Sequence, residues 1–450
     1  MTKTSSDSVL ETAGALVERA MKAGAEAAEA LVVEGISLGV SWRLGKLEDV
    51  ERSEGRDIGL RVLIGQRQAH VSTSDLSEKS IGPLIERAVA MARVAPVDPY
   101  IGLADPALLA RVLPELDIVD PTAAPDTEAL AALAAEAEEA ALAVAGVTNS
   151  GGAGASWGRS GMALVTSGGF SGSYAGTSHS FSVSVLAGEG TGMERDYDYS
   201  SARHRRDLDK AGVIGRNAGE RAVRRIGARK VKSQSVSVIY DPRVSGGLLG
   251  HFAGAISGSA IARGTSFLKD AMGKAIFAPG ITIIDDPHRI RGLRSKPFDG
   301  EGVANRAMRL VDEGVLTTWL LDCATARQLG LTTTGHAARG VGSPPSPSTT
   351  NLYMEAGRLT PKALMADIRQ GLYITEMIGM GVNGVTGDYS RGASGFWIEN
   401  GEIAYPVSEI TVAGNLRDMF LQMTPANDLV FHQGTNAPTL RVEGMTVAGS

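Results

Sequence analysis

Residues 29–74, EALVVEGISLGVSWRLGKLEDVERSEGRDIGLRVLIGQRQAHVSTS, contain three strand-like runs in succession, at 32–33, 38–42 and 58–64. Turn signals separate the runs, which is typical of strands that pair through short connections. Helical patterns flank the stretch, because apolar side chains recur with helical spacing over residues 8–24 and again over 77–95. Strands that follow one another between helices, without a regular βαβ alternation, predict an α+β fold.

The rest of the chain extends this pattern. We expect an alanine-rich acidic helix over residues 127–145, antiparallel strands over the Gly- and Ser-rich residues 147–200, and a helix over 207–228. FSVSVLAGEG, residues 181–190, alternates as a half-buried strand does. A strand at 235–242 and a helix at 246–260 follow, and strands then dominate. We therefore predict two domains, an N-terminal one of helices with antiparallel strands (1–228) and a mainly β one (229–450).

The hairpin expected at residues 396–405 has the clearest turn signal in the chain. Its sequence is FWIENGEIAY, and the central Asn400 and Gly401 are the residues that a type I′ turn favours, since both positions need positive φ.

Composition excludes several classes of protein. The net charge of −6 gives no overall reason to expect nucleic acid binding. The chain has one cysteine, Cys323, so neither an intrachain disulfide nor a cysteine zinc cluster can form. The polar N-terminus lacks the apolar core of a signal peptide. Residues 244–262 carry no formal charge, but eight of these 19 are Gly or Ser, so we interpret them as a buried helix and not a membrane span. We expect a cytoplasmic protein.

The helix GGLLGHFAGAISGSA, residues 246–260, carries a single histidine, His251. A zinc peptidase commonly places two histidines one helical turn apart, with a glutamate as the base. Here Gly247 lies four residues before His251 and Ala255 four after it, and residues 244–262 contain no carboxylate. Glycines recur at 246, 250, 254 and 258, which predicts a flat stripe that another backbone can approach. We interpret His251 as a packing residue, with a substrate contact as the alternative.

Four further sequence patterns are weaker candidates for a binding or catalytic site. GMGVNG (379–384) matches a dinucleotide-binding fingerprint, but no helix is expected after it. GASWG (154–158) matches a nucleophile elbow in a turn-rich context. DDPH (285–288) places Asp285 and Asp286 near His288, which we interpret as a solvated turn with catalysis as the alternative. Residues 203–232 hold eleven Lys or Arg against three acids, and we favour a solvated helix over nucleic acid binding.

Several segments resemble the TldD/PmbA family, in its PmbA (TldE) branch. They are LLGHFAGAISGSAIARGTSFLKDAMG, FDGEGVANRAMRLVDEGVL, TTNLYMEAG, GLYITEMIGMGVNGVTGDYSRGASGFWIENGEIAYPVSEITVAGNL and NDLVFHQGTNAPTLRVEGMTVAG. The resemblance covers the whole chain and is densest in its second half. It implies a cytoplasmic metallopeptidase family that is linked to DNA gyrase modulation and processes antitoxins and microcin precursors.

The resemblance also implies where a metal would bind. The active TldD branch carries His-Glu-x-x-x-His on a helix and a cysteine near the C-terminus as zinc ligands. With His251 as the second histidine, the first falls on Gly246 and the glutamate on Gly247. FHQGTNAP offers no cysteine, and Cys323 lies over a hundred residues too early. We therefore expect neither a catalytic residue nor a metal site in this chain.

The function implied is that of a non-catalytic subunit. It would enclose a chamber with a TldD-type catalytic partner, which would supply the zinc, and would grip an unfolded peptide by strand pairing. The candidate surfaces are residues 147–200 and 379–395, with His251, Asn383, Asp388 and Arg391 as candidate peptide contacts. A homodimer without the partner is left open, and direct nucleic acid binding is not expected. The alternatives are a peptidase active on its own through another site, such as Asp285–His288, and a non-enzymatic modulator of DNA gyrase.

Overall fold

The computed structural model describes residues 5–449 of the chain, with side chains from residue 8 onwards. A six-stranded antiparallel sheet, in the order β3-β2-β1-β4-β5-β6, forms the centre of the first half. Its strands are β1 (Ala27–Arg43), β2 (Lys46–Ile64), β3 (Arg67–Thr73), β4 (Val147–Thr166), β5 (Ser171–Ala187) and β6 (Glu194–Ala202). Four helices accompany them, α1 (Ser5–Lys22), α2 (Glu78–Val94), α3 (Thr127–Leu142) and α4 (Ala211–Arg224). The predicted α+β class is confirmed.

Helices cover one face of this first sheet because the strands alternate in hydrophobicity. In β5, Phe181, Val183 and Val185 point toward α3 and α4 and are at most 2% exposed, whereas the serines between them point away. At the other end of the sheet, α1 and α2 pack on the same face, over β1 and β2. The opposite face is covered at that end by residues from the second half of the chain such as Phe298, whereas Ser41, Ser156 and Ser182 toward the other end are exposed.

The second half begins with β7 (Gln234–Tyr240), so the predicted boundary at residue 229 falls between α4 and β7. Further elements are α5 (Pro242–Ala255), α6 (Gly258–Ala262), β8 (Ile283–Asp285), β9 (Met308–Asp312), β10 (Val315–Leu316), α7 (Cys323–Leu329), β11 (Ala337–Ala338), β12 (Ser346–Pro347), β13 (Leu352–Met354), α8 (Pro361–Met365), β14 (Gln370–Ile378), β15 (Asp388–Glu399), β16 (Glu402–Asn415), α9 (Leu416–Leu421), β17 (Met423–Pro425), β18 (Thr435–Asn436) and β19 (Leu440–Ala448).

Two sheets organise these elements. The larger has the order β16-β15-β14-β7-β19-β17, and an additional pairing of β16 with β19 closes it into a barrel. The smaller has the order β10-β9-β8-β13-β18. One apolar core lies between the sheets and α5, and Phe252 and Leu249 of α5 are fully buried in it. No helix within residues 5–449 is long and apolar enough to cross a membrane.

The predicted hairpin turn is confirmed, since Asn400 has φ 50° and Gly401 φ 82°. The single helix predicted over 246–260 is wrong at both ends. It begins at Pro242, where the Asp241 side chain accepts a hydrogen bond from the backbone N–H of Arg243. It breaks after Ala255, because the backbone at Ser257 forms a bridge to Leu320 and leaves the helical conformation.

The glycine stripe predicted on α5 is only half right. A Cβ at Gly246 would lie 2.9 Å from the carbonyl oxygen of Thr435, and one at Gly258 2.6 Å from Oγ1 of Thr325. At Gly250 and Gly254, by contrast, a Cβ would meet no described atom within 4 Å. Close approach therefore occurs at the ends of the stripe and not along it, because the intervening turns face open space.

Residues 337–347, here called the strap, reach back from the second half and lie on the first sheet. The carbonyl oxygen of Val341 would lie 2.1 Å from a Cβ at Gly59 of β2, so this position excludes any side chain. Arg339 of the strap forms an ion pair with Glu29 of β1, which also pairs with Arg61 at 2.9 Å. All three of these charged side chains are at most 3% exposed.

Replacing Gly59 tests how the strap is seated. Gly59→Ala would place a methyl group against the Val341 carbonyl and should destabilise the protein by about 1–3 kcal/mol, the usual cost of overpacking. Gly55→Ala on the same strand is the matched control, because a Cβ there would meet no described atom within 4 Å. Thermal unfolding should give a lower Tm for Gly59→Ala alone. Equal Tm values for the two variants would contradict the close contact of the strap with Gly59.

Candidate functional site

His251 lies on α5 against the barrel and is partly buried. Its ring meets Tyr389 of β15 edge-on, with ring centroids 5.9 Å apart. Burial and the positive charge of Arg391 lower the pKa of His251, so the imidazole is neutral near pH 7. Nε2 of His251 and Nε of Arg391 are therefore both buried polar atoms without a hydrogen bond to the described residues.

Tyrosines form the floor beneath these two side chains. Tyr240 and Tyr389 are at most 2% exposed, and burial raises the pKa of each phenol. The Tyr240 hydroxyl donates a hydrogen bond to Sδ of Met445 at 3.3 Å. These two tyrosines therefore surround the imidazole and the guanidinium with buried aromatic rings.

Gly246 and Gly247 stand where the family motif has its first histidine and its glutamate, and they differ in the space around them. The backbone of Thr435 lies against Gly246, whereas a Cβ at Gly247 would meet no described atom within 4 Å. Across the part of the chain that the structure describes, no three His, Cys, Asp or Glu side chains are grouped so as to hold a metal ion. The group around His251 consists of one imidazole, one guanidinium and two phenols.

The other two predicted contact residues, Asn383 and Asp388, shape the turn between β14 and β15. Oδ1 of Asn383 accepts hydrogen bonds from the backbone N–H groups of Val385 and Thr386. The Asp388 carboxylate accepts hydrogen bonds from the side chains of Thr386 and Asn415, which lower its pKa. The structure thus brings His251 and Arg391 together, whereas the side chain of Asn383 bonds within its own turn and that of Asp388 bonds to the turn and to Asn415 at the end of β16.

The Gly-rich patterns have turn and strand roles. GMGVNG (379–384) forms the loop between β14 and β15 and is followed by a strand, which does not fit dinucleotide binding. GASWG (154–158) lies inside β4, so Ser156 is not on a strand-to-helix turn. The 379–384 loop exposes Met380 to 88%.

The uncovered face of the first sheet is lined by small polar residues. This open face consists of Ser37, Gly39, Ser41, Gly154, Ser156, Gly158, Ser178, Ser180, Ser182 and Ser201, which lie side by side on β1, β4, β5 and β6. Asp49 and Glu51 of β2 continue two of these rows at one edge, and Tyr199 of β6 lies at the other. They bound a depression of about 440 Å³. Such a surface allows an extended backbone to approach closely and offers it hydroxyl groups.

The Asp285–His288 cluster is not assembled as a catalytic pair. Asp285 is fully buried, accepts hydrogen bonds from the backbone and hydroxyl of Thr350, and lies 3.3 Å from Nε2 of His336. Nε2 of His288 instead contacts the Asn305 side chain. The expected solvated turn is therefore wrong for Asp285, because β8 carries it into the core.

Asp285 is close to a buried group of charged residues that the sequence analysis did not identify. It contains Lys296, Asp299 and Glu301, and Cys323 packs against them. Oε2 of Glu301 accepts a hydrogen bond from the backbone N–H of Cys323 at 2.7 Å. Burial and the nearby Asp299 raise the pKa of Glu301 to about 8. Lys296 donates a hydrogen bond to the carbonyl oxygen of Ala337, and Asp299 accepts one from the backbone N–H of the same residue, so the group also holds the start of the strap.

The basic helix α4 also has internal partners. Arg225 pairs with Glu376 at 2.6 Å and with Glu194, and Arg221 pairs with Asp198 at 2.9 Å. Arg224 lies over the ring of Phe396. The expected solvated helix is wrong for Arg225, which is 8% exposed, because it joins the first sheet to β14.

Family models match the chain in three consecutive segments. The PmbA/TldA metallopeptidase domain 1 matches residues 28–92, the central domain 120–226 and the C-terminal domain 233–449.

Curated relatives match over nearly the full length. Metalloprotease PmbA of Escherichia coli O157:H7 is 37% identical over 98% of this chain and 96% of its own length. A PmbA homologue of Haemophilus influenzae is 38% identical over 96% of this chain and 94% of its own. A solved structure from Bacteroides thetaiotaomicron, provisionally named a modulator of DNA gyrase, is similar with a TM-score of 0.91 and 28% identity, over 99% of this chain and 100% of that one.

The raised pKa of Glu301 predicts a pH-dependent stability. A carboxyl whose pKa is higher in the folded than in the unfolded protein contributes stability below its ordinary pKa and loses it as the pH rises toward about 8. Glu301→Gln keeps the acceptor for Cys323 and removes the ionisation, so its stability relative to the unmodified chain should increase by roughly 3 kcal/mol between pH 5.5 and pH 8.5. Chemical denaturation at pH 5.5 and 8.5 measures this.

The control for this experiment is Glu189→Gln, at an exposed position on the surface. It should leave stability unchanged at both pH values. If Glu301→Gln gave the same difference from the unmodified chain at pH 5.5 and 8.5, Glu301 would not be protonated in the folded protein.

Proposed function

The chain belongs to the TldD/PmbA metallopeptidase family, in its PmbA branch, and we propose that it is a non-catalytic subunit that handles peptide substrate for a TldD-type catalytic partner. In this proposal the partner holds the zinc ion and this chain contributes walls of a shared chamber. The setting is the cytoplasm, and the substrate is an unfolded peptide.

The observation that carries the proposal is the environment of α5. The zinc ion of the family does not fit the residues present, because the first ligand position is Gly246 and the Thr435 carbonyl occupies the space of a side chain there. The position of the base is Gly247, and the remaining histidine, His251, lies beside the Arg391 guanidinium. One neutral imidazole next to a fixed positive charge is a poor environment for a divalent cation.

The open face of the first sheet supports the proposal that this chain binds the peptide substrate. Its glycines leave room for an extended chain, and its serine hydroxyls can donate to or accept from any peptide backbone without demanding a sequence. Asp49 and Glu51 give one edge of this face a negative charge. We expect it to prefer peptides with basic residues.

Metal analysis and peptidase assays on separate and mixed chains test the proposal. The isolated chain should hold well below one zinc per molecule and show no chelator-sensitive hydrolysis of an unstructured peptide. The mixture with a TldD-type chain should be active and inhibited by chelator. Stoichiometric zinc on the isolated chain, together with chelator-sensitive hydrolysis, would overturn the proposal, and chelator-resistant hydrolysis by the isolated chain would favour a peptidase that uses another site.

His251→Ala separates packing from substrate contact. If His251 only packs against Tyr389, activity of the mixed chains should stay within about threefold. A loss of more than about tenfold, or 1.4 kcal/mol in the transition state, would instead place His251 at the substrate or the partner. Co-precipitation of the chain with DNA gyrase in the absence of a TldD-type chain would favour the gyrase alternative.

A further inference from the structure

Two rows of residues run across the open face of the first sheet, from β2 to β6. In the order of the strands, the first row consists of Asp49, Ser41, Gly154, Ser182 and Tyr199. The second row consists of Glu51, Gly39, Ser156, Ser180 and Ser201. Both rows line the depression of about 440 Å³ on this face. The depression therefore crosses all five of these strands.

The depression is long across the strands and narrow along them. Neighbouring strands lie about 4.8 Å apart, so the four steps from β2 to β6 span about 19 Å. The two rows are separated by two residues along each strand, which is about 7 Å. An extended peptide fits this shape when it runs across the strands and not when it runs along them.

The β2 end of the depression is negatively charged. Asp49 and Glu51 are both exposed, and within the described part of the chain neither carboxylate has an ion pair or a side-chain hydrogen bond. Arg52, which lies beside them in the sequence, contacts Glu54 on the other face of β2. Two carboxylates without a cation next to them favour a positively charged group on the ligand.

The β6 end of the depression is aromatic. Tyr199 stacks on Tyr197 with ring centroids 6.4 Å apart and an angle of 18° between the planes. Its phenol oxygen accepts a hydrogen bond from the side chain of Gln433, and the guanidinium of Arg243 lies 5.6 Å from the centre of the Tyr197 ring. The ring of Tyr199 is thus held in place at this end, where an aromatic side chain of a ligand can pack against it.

The floor between the two ends consists of serine and glycine. The hydroxyl oxygens of Ser156 and Ser180 lie 2.8 Å apart, within hydrogen-bond distance. Serine hydroxyls donate and accept, so they can bond to the amide groups of a crossing peptide whatever its side chains are. Selection among peptides therefore falls to the two ends.

We infer that an extended peptide crosses the open face at right angles to its strands, with a lysine or arginine over Asp49 and Glu51 and an aromatic side chain against Tyr199. An extended chain advances about 3.3 Å per residue, so 19 Å corresponds to about six residues. Alternate side chains of such a chain face the sheet, so residues i and i+6 both face it, whereas residue i+5 faces away. This inference rests on the peptide-binding function proposed above and adds which side chains are selected and at what spacing.

Peptides that differ only in spacing test the inference on the full-length chain by fluorescence anisotropy. Each peptide is blocked at both termini and carries one Lys and one Trp in a spacer of Ser, Gly and Thr, in either order. We expect the peptide with Lys and Trp six positions apart to bind about fivefold more tightly than one of the same composition with a separation of five. A peptide with norleucine in place of Lys should lose a similar factor.

Variants of the protein assign each anchor to its end of the depression. Asp49→Asn with Glu51→Gln should weaken the Lys peptide about fivefold at low salt and leave the norleucine peptide unchanged. Glu54→Gln is the matched control, because it removes an exposed carboxylate of the same strand from the other face. Tyr199→Thr should weaken the peptide with Trp but not one with Ala in its place, and Tyr199→Phe, which keeps the ring, should restore binding. Circular dichroism and Tm verify that each variant is folded.

Equal affinities for separations of six and five residues would overturn the inference. It would also fall if Glu54→Gln weakened binding as much as the Asp49 and Glu51 changes, if Trp could be replaced by Ala without loss, or if no peptide bound up to about 1 mM. These measurements use the isolated chain, whereas metal analysis and the activity of the mixed chains test the proposed function. The inference can therefore fail while the proposed function stands.

Discussion

The buried carboxylate of Glu29 connects the two halves of this protein. It lies in β1 and pairs with Arg61 of β2 and with Arg339 of the strap, 310 residues away in the chain. Burial alone would raise the pKa of Glu29, but Arg339 and Arg61 together hold it below its usual range. Burial and the same arginines lower the pKa of the adjacent His70 to about 4, so this imidazole adds no positive charge at neutral pH. A charge of this kind is costly to leave unpaired, and the strap is therefore held firmly on the first sheet.

This contact determines which part of the first sheet is free. The strap and residues such as Phe298 cover the face near Gly59, whereas the rows from Ser37 to Ser41 remain uncovered. Arg225 and Arg243 reinforce the arrangement, because they tie β6 and α4 to the second half through Glu376 and Asp196. The second half therefore contacts the first sheet near Gly59 and along β6, and the rows of serines between these contacts remain exposed.

Local pattern predicted the elements whose structure depends on their own residues. The apolar positions of α1, the alternation in β5 and the turn at Asn400 and Gly401 all formed as expected, since sequence spacing alone sets them. The break after α5 was missed because it depends on Leu320. Close approach was predicted at Gly246, where Thr435 provides it, but wrongly at Gly250 and Gly254, which no described atom approaches. The Glu29–Arg339 pair could not be predicted from one sequence. For Asn383 and Asp388 a signal was present, because Asn and Asp next to glycine commonly shape turns.

At the position of the first zinc ligand, residue 246, the fold around α5 leaves no room for a side chain. The position therefore differs from the family motif in its surroundings as well as in its residue type. Gly246 packs on the backbone of Thr435 in β18, and β18 pairs in parallel with β13 inside the second half. A histidine at residue 246 would have to displace this strand, and with it part of the five-stranded sheet. At Gly247 space for a side chain is available, but the residue carries no carboxylate.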